Sequence, residues 1–168
     1  MPDPKWSRYC SPYHARGTRL IKRLSGRADS IFLDPQIFLS LLDKELARAE
    51  RYNHFVSILL LRVEGVPGRE RAFWLSRLAL ALADKVRRSD YLENFEKGTL
   101  GIILVCAGVE SARIALERLR FEALICLSGG PQEIHLKTSY AVYPSEATLL
   151  ESLCDLAIQR LTDQEYNA

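Results

Sequence analysis

A chain of 168 residues with an apolar fraction of 48% and a formal net charge of +2 has material for one core and one ordinary domain. No apolar run approaches the roughly 20 residues that a membrane helix needs, and the first residues lack the apolar centre of a signal peptide, so a spanning segment is not expected. The four cysteines, Cys10, Cys106, Cys126 and Cys154, form no Cys-x-x-Cys pair and read as reduced, mostly buried thiols of a cytoplasmic protein. Cys10 and His14 have a spacing seen in metal sites, but no second pair follows, so neither a metal nor any other cofactor is expected.

The near-neutral total conceals an asymmetry. Residues 1–28 carry Lys5, Arg8, Arg16, Arg19, Lys22, Arg23 and Arg27 against Asp3, which leaves the arm at +6 and residues 29–168 at −4. Residues 1–28 are read as a basic arm or linker, able to meet nucleic acid, an anionic surface or its own domain, and residues 29–168 as the folded domain. Nucleic acid is the weakest of these partners, and binding to it would show as steep salt dependence.

In chain order, Asp34-Pro35 is a helix start, an acid at the N-cap with proline at the first helical position. Phe38, Leu41, Leu42, Leu46 and Ala49 then keep one apolar face until Tyr52-Asn53. Phe55 to Val63 is a near-continuous apolar run of strand length, suited to a central strand. After the break at Gly65 to Gly68, residues 69–88 carry Trp74, Leu75, Leu78, Leu82 and Val86 at helical spacing. Tyr91 to Phe95 and Leu100 to Val105 flank a tight turn with Gly98 and are expected to pair as a hairpin. Ser111 to Leu119 is a third helix, Leu124 to Leu127 a short strand, Gly129-Gly130-Pro131 a turn, Ile134 to Val142 a strand, and Glu146 to Leu161 a last helix. The order yields an α/β (α+β) domain with a ferredoxin-like βαββαβ core, helices covering one face of a mainly antiparallel sheet. His54 and His135 have no nucleophile partner in view and are read as structural.

Several landmarks between Phe32 and Asn167 arrive in a telling order. They are Phe38 and Glu45-Leu46-x-Arg48-Ala49-x-Arg51, then Ser57 to Leu61, Val86-Arg87-Arg88-Ser89-Asp90, Ala115 to Arg120, Thr138 to Pro144, Cys154 to Ile158, and Tyr166-Asn167. In this the chain resembles the GGDEF family, the diguanylate cyclases that join two GTP into cyclic di-GMP, whose fold is the nucleotidyl-cyclase palm. Counted forward from Asp90, the family signature falls on Glu96, Lys97, Gly98, Thr99 and Leu100, so its two glycines and both acidic positions are replaced. The family's metal-binding Asp-x-Asp falls on Arg62-Val63-Glu64. An arginine where a carboxylate belongs repels magnesium, and phosphoryl transfer of this kind needs that ion. The segment from Glu64 to Arg87 is also shorter than the family's. The resemblance therefore implies a degenerate, non-catalytic domain.

One element of the family pattern is kept. Arg87-x-x-Asp90 stands where the family holds its inhibitory product site, and Arg118, with Arg120 second to it, is placed to add a contact. An arginine fork donates to guanine O6 and N7, and an aspartate accepts from guanine N–H groups. The competing reading is that Arg87 and Asp90 cap a helix end and pair locally. A second Arg-x-x-Asp at Arg160 to Asp163 has no matching position. The function expected is a regulatory, signalling domain that receives cyclic di-GMP through Arg87, Asp90 and Arg118. The alternative is a nucleotide-independent interaction or dimerisation scaffold, with a protein partner or a second copy. An enzyme using Glu64 and Glu96 as a reduced metal site is a third reading, opposed by Arg62 and Lys97.

Overall fold

The structure, a computed structural model, describes residues 35–96 and 98–164. The basic arm, the Asp34 cap, Lys97, Tyr166 and Asn167 lie outside the described residues. Helix α1 (Pro35–Tyr52) leads into β1 (Val56–Glu64), α2 (Gly68–Ala83), β2 (Tyr91–Glu96), β3 (Thr99–Val105), α3 (Val109–Leu127), β4 (His135–Tyr143) and α4 (Leu150–Asp163). Helix α1 stops at Asn53, whose positive φ of 53° ends the helical path.

The four strands form one sheet in the order β2-β3-β1-β4, every neighbouring pair antiparallel. The apolar run of β1 sits at the centre because it is the strand both neighbours bury. Its alternate residues feed two cores. Leu59, Leu61 and Val63 join Trp74, Leu78 and Leu82 of α2 and Leu116, Leu119 and Leu127 of α3. Val56, Ile58 and Leu60 join Phe38 and Leu42 of α1 and Leu153, Ala157 and Leu161 of α4. The expectation of helices on one face holds for the βαββαβ core, and the chain adds a second layer. The βαββαβ unit keeps its own two helices on one face, and the flanking α1 and α4 close the other.

Two expectations about elements change. Leu124 to Leu127 is no strand: α3 runs unbroken from Val109 to Leu127. Helix α2 ends at Ala83 rather than 88, so Arg87 to Asp90 belong to the α2–β2 connection. Of the thiols, Cys154 is buried and burial pushes its pKa up to about 12, whereas Cys106 is exposed and Cys126 is partly buried. The expectation of mostly buried cysteines therefore fails at Cys106, which leaves the sheet at the end of β3 with a positive φ of 56°.

Candidate functional site

The end of β1 lies between the starts of β3 and β4, and strand register decides which side chains meet there. Arg62 is opposite Thr99 on one side and Lys137 on the other, while Glu96 pairs with Thr99 across the hairpin. Arg62 Nε donates to Thr99 Oγ1 at 3.0 Å, and its guanidinium pairs with Glu96 and stands 4.0 Å from Glu64 Oε1. Lys137 Nζ is 2.9 Å from Glu64 Oε2. Both carboxylates at this end of the sheet are therefore answered by fixed side-chain cations. The donor set does not fit a magnesium ion: Arg62 holds the position between Glu64 and Glu96 that such an ion would need, and no cluster of three metal-ligating side chains occurs among the described residues.

The hairpin turn reinforces this. Gly98 has a φ of +79°, and its carbonyl accepts from the Val63 N–H at 2.9 Å. A Cβ at Gly98 would meet Arg71 Cδ at 2.5 Å. The backbone here thus disfavours any acidic side chain, on conformational and steric grounds together. Arg71 itself donates to the Val66 carbonyl at 3.3 Å.

The second group sits at the opposite end of the hairpin. Asp90 is buried and its Oδ1 accepts from the Val105 N–H at 3.1 Å and from the Ser89 hydroxyl at 3.2 Å, so one carboxylate oxygen fastens the start of β2 to the end of β3. Arg87 is exposed, and no ion pair or hydrogen bond engages its guanidinium among the described residues. The local Arg87–Asp90 contact joins backbone only, the Asp90 N–H donating to the Arg87 carbonyl at 3.1 Å. Lys85 Nζ reaches Glu122 Oε1 at 3.1 Å, tying the α2–β2 connection to α3. Arg118 is exposed on α3 one turn before Glu122. Arg120, also exposed, lies two residues off that line. The later Arg160 is committed elsewhere, pairing with Glu146 at 2.7 Å and donating to the Tyr140 carbonyl at 2.7 Å, as befits a copy of the motif without a site.

No family model matches the chain, and no curated protein matches it. Solved structures do. The diguanylate cyclase SiaD of Pseudomonas aeruginosa, crystallised with its activator SiaC, superposes with a TM-score of 0.69 at 15% identity, covering 89% of this chain and 62% of that one. A DGC protein of Thermotoga maritima matches with a TM-score of 0.61 at 25% identity, covering 77% of this chain and 98% of that one. The GGDEF domain of DgcB from Caulobacter crescentus, in complex with c-di-GMP, matches with a TM-score of 0.65 at 12% identity, covering 94% of this chain and 93% of that one. This is a GGDEF-like domain.

Within the GGDEF-like domain, the substitutions read from the sequence become a physical arrangement: Glu64 and Glu96 face Arg62 and Lys137. Sequence reasoning named Arg62, Glu64 and Glu96 but missed Lys137 and Arg71, because which residue of β4 lies beside Arg62 depends on strand register. The signal for Lys137 was its place as a lone cation within an otherwise apolar and hydroxyl-bearing run from Leu136 to Val142.

Proposed function

We propose that this GGDEF-like domain is a non-catalytic regulatory module that receives cyclic di-GMP through Arg87, Asp90 and Arg118. The observation that carries the first half is the Arg62 guanidinium standing between Glu64 and Glu96, where phosphoryl transfer would need a metal ion. Incubation with GTP and magnesium is expected to yield no cyclic di-GMP above a protein-free control. Product formed by the intact chain and lost in a Glu64→Gln/Glu96→Gln variant would contradict this.

The receptor half is supported by Arg87 and Arg118, whose guanidinium groups no side chain engages among the described residues, and by a fixed Asp90. A guanidinium without a partner keeps its full fork for a guanine edge. Asp90, held by the Val105 N–H, presents its second carboxylate oxygen in a set direction. The domain of DgcB was crystallised with c-di-GMP, which is the ligand class this reading takes. Because Asp90 also fastens the hairpin, Arg87 is the position at which ligand binding separates cleanly from folding.

A second reading, an interaction scaffold, is favoured by one observation: the outer side of α3 exposes Ile114, Phe121, Leu124 and Ile125.

A further inference from the structure

We propose that the outer face of α3 docks a second copy of this chain, α3 against α3 in an antiparallel, two-fold pairing. The inference goes beyond the nucleotide reading and shares only Arg118 with it; it supplies the scaffold reading with a surface and an occupant.

Helix α3 buries Ala112, Leu116, Leu119, Ala123 and Leu127 against the sheet. On the opposite side, Ile114, Phe121 and Ile125 are 56%, 65% and 56% exposed, with Arg118 between them and Leu124 widening the stripe. A helix that is apolar on both sides is normally covered on both sides. No other element among the described residues exposes as many large apolar side chains: α2 exposes Phe73 and Leu80 about Arg77, whose guanidinium carbon lies 5.8 Å from the Phe73 ring centre, α1 exposes Tyr52 at its end, and Phe55 and Leu149 stand exposed outside the helices. No helix among the described residues is long and apolar enough to cross a membrane, so a bilayer is not what covers the stripe as a span.

What selects a second copy is that the stripe is complementary to itself. Positions 114, 118, 121 and 125 are spaced four, three and four residues apart, the alternation of a two-helix seam, and the spacing reads the same in both directions. An antiparallel pairing about the point between Leu119 and Arg120 sets Ile114 beside the partner's Ile125 and Arg118 beside the partner's Phe121. One register satisfies both pairs and their symmetry mates, as an isologous contact requires. Arg118 then lies over an aromatic face, with the partner's Glu122 adjoining on the same side of the seam. Charge is matched as well as shape. The Arg118 guanidinium, which no side chain engages among the described residues of one copy, obtains a ring from the other and faces Glu122, a carboxylate that Lys85 of its own copy reaches at 3.1 Å.

Sedimentation equilibrium of the full chain without nucleotide tests this, with far-UV circular dichroism confirming that each variant is folded. The intact chain is expected to behave as a dimer of 19.1 kDa subunits at high micromolar concentration. Phe121→Glu is expected to be a monomer. Arg118→Glu should weaken association by about tenfold or more, and Arg118→Glu/Glu122→Arg should recover most of that loss, since the swap restores opposite charges across the seam. A monomeric intact chain, a dimer indifferent to Phe121→Glu, or a charge swap without recovery would each overturn the pairing. Phe121 lies outside the Arg87, Asp90 and Arg118 group, so a nucleotide-binding result does not decide this one.

Discussion

Phe38→Ala is expected to destabilise the domain by about 3–5 kcal/mol, the range for deleting a fully buried aromatic ring. Phe38 has no exposed surface and meets Phe95 edge to face, ring centres 5.2 Å apart at 87°. It also fills the space above Gly101, where a Cβ would lie 2.4 Å from Phe38 Cε2. The ring is therefore the peg that holds α1 to the β2–β3 hairpin, and Gly101 is the matching socket. Removing it leaves a cavity between a helix and a sheet that cannot close without moving either. Urea unfolding should show a midpoint far below that of the intact chain at unchanged slope. A loss below about 1 kcal/mol would mean that the α1 layer collapses onto the sheet without its peg.

A pH-dependent effect of similar size is expected at Glu93. This residue lies on β2 opposite Gly101, 1% exposed, and neither carboxylate oxygen has a hydrogen-bond partner among the described residues. Burial alone pushes its pKa from an ordinary 4.5 up to about 7. On the same side of the sheet, Glu45 accepts from the Tyr91 hydroxyl at 2.9 Å and from Arg48 at 2.8 Å, so that carboxylate is satisfied where Glu93 is not. The folded state holds the Glu93 proton more tightly than the unfolded chain. The contribution of Glu93 to stability is therefore greatest below pH 4.5, falls as pH rises toward 7, and stays low above it. Glu93→Gln removes this slope. The stability of the Gln variant relative to the intact chain should rise by about 3 kcal/mol between pH 4 and pH 8. Parallel stability curves across that window would show that Glu93 is not a buried, unpaired acid.

The run of β1 and the hairpin around Gly98 were legible because each has a local cause: a continuous apolar stretch and a glycine turn. Helix α3 was not, beyond its first half. Its exposed side carries Phe121, Leu124 and Ile125, so the helical period dissolves into a near-continuous apolar run from Phe121 to Leu127, and Leu124 to Leu127 looks like a short strand. The feature that defeated the periodicity is the one that marks the docking face. The layer of α1 and α4 was hidden for another reason. Which face of the sheet a helix takes depends on connections and twist, and no residue of α1 records it. At the candidate site, the loss of the metal carboxylates was readable from Arg62 and Gly98. That Lys137 answers Glu64 required the β1–β4 register, and that Asp90 doubles as a fastener for Val105 required the fold.

The most direct measurement on the receptor claim is calorimetric titration of cyclic di-GMP into the intact chain and into Arg87→Ala, at equal protein concentration. Arg87 is exposed and makes no side-chain bond among the described residues, so its loss should leave stability within about 0.5 kcal/mol. Saturable micromolar binding by the intact chain, reduced at least about tenfold in Arg87→Ala, is the predicted result. Absence of heat in the intact chain, or equal binding by both proteins, would contradict a cyclic di-GMP site at Arg87.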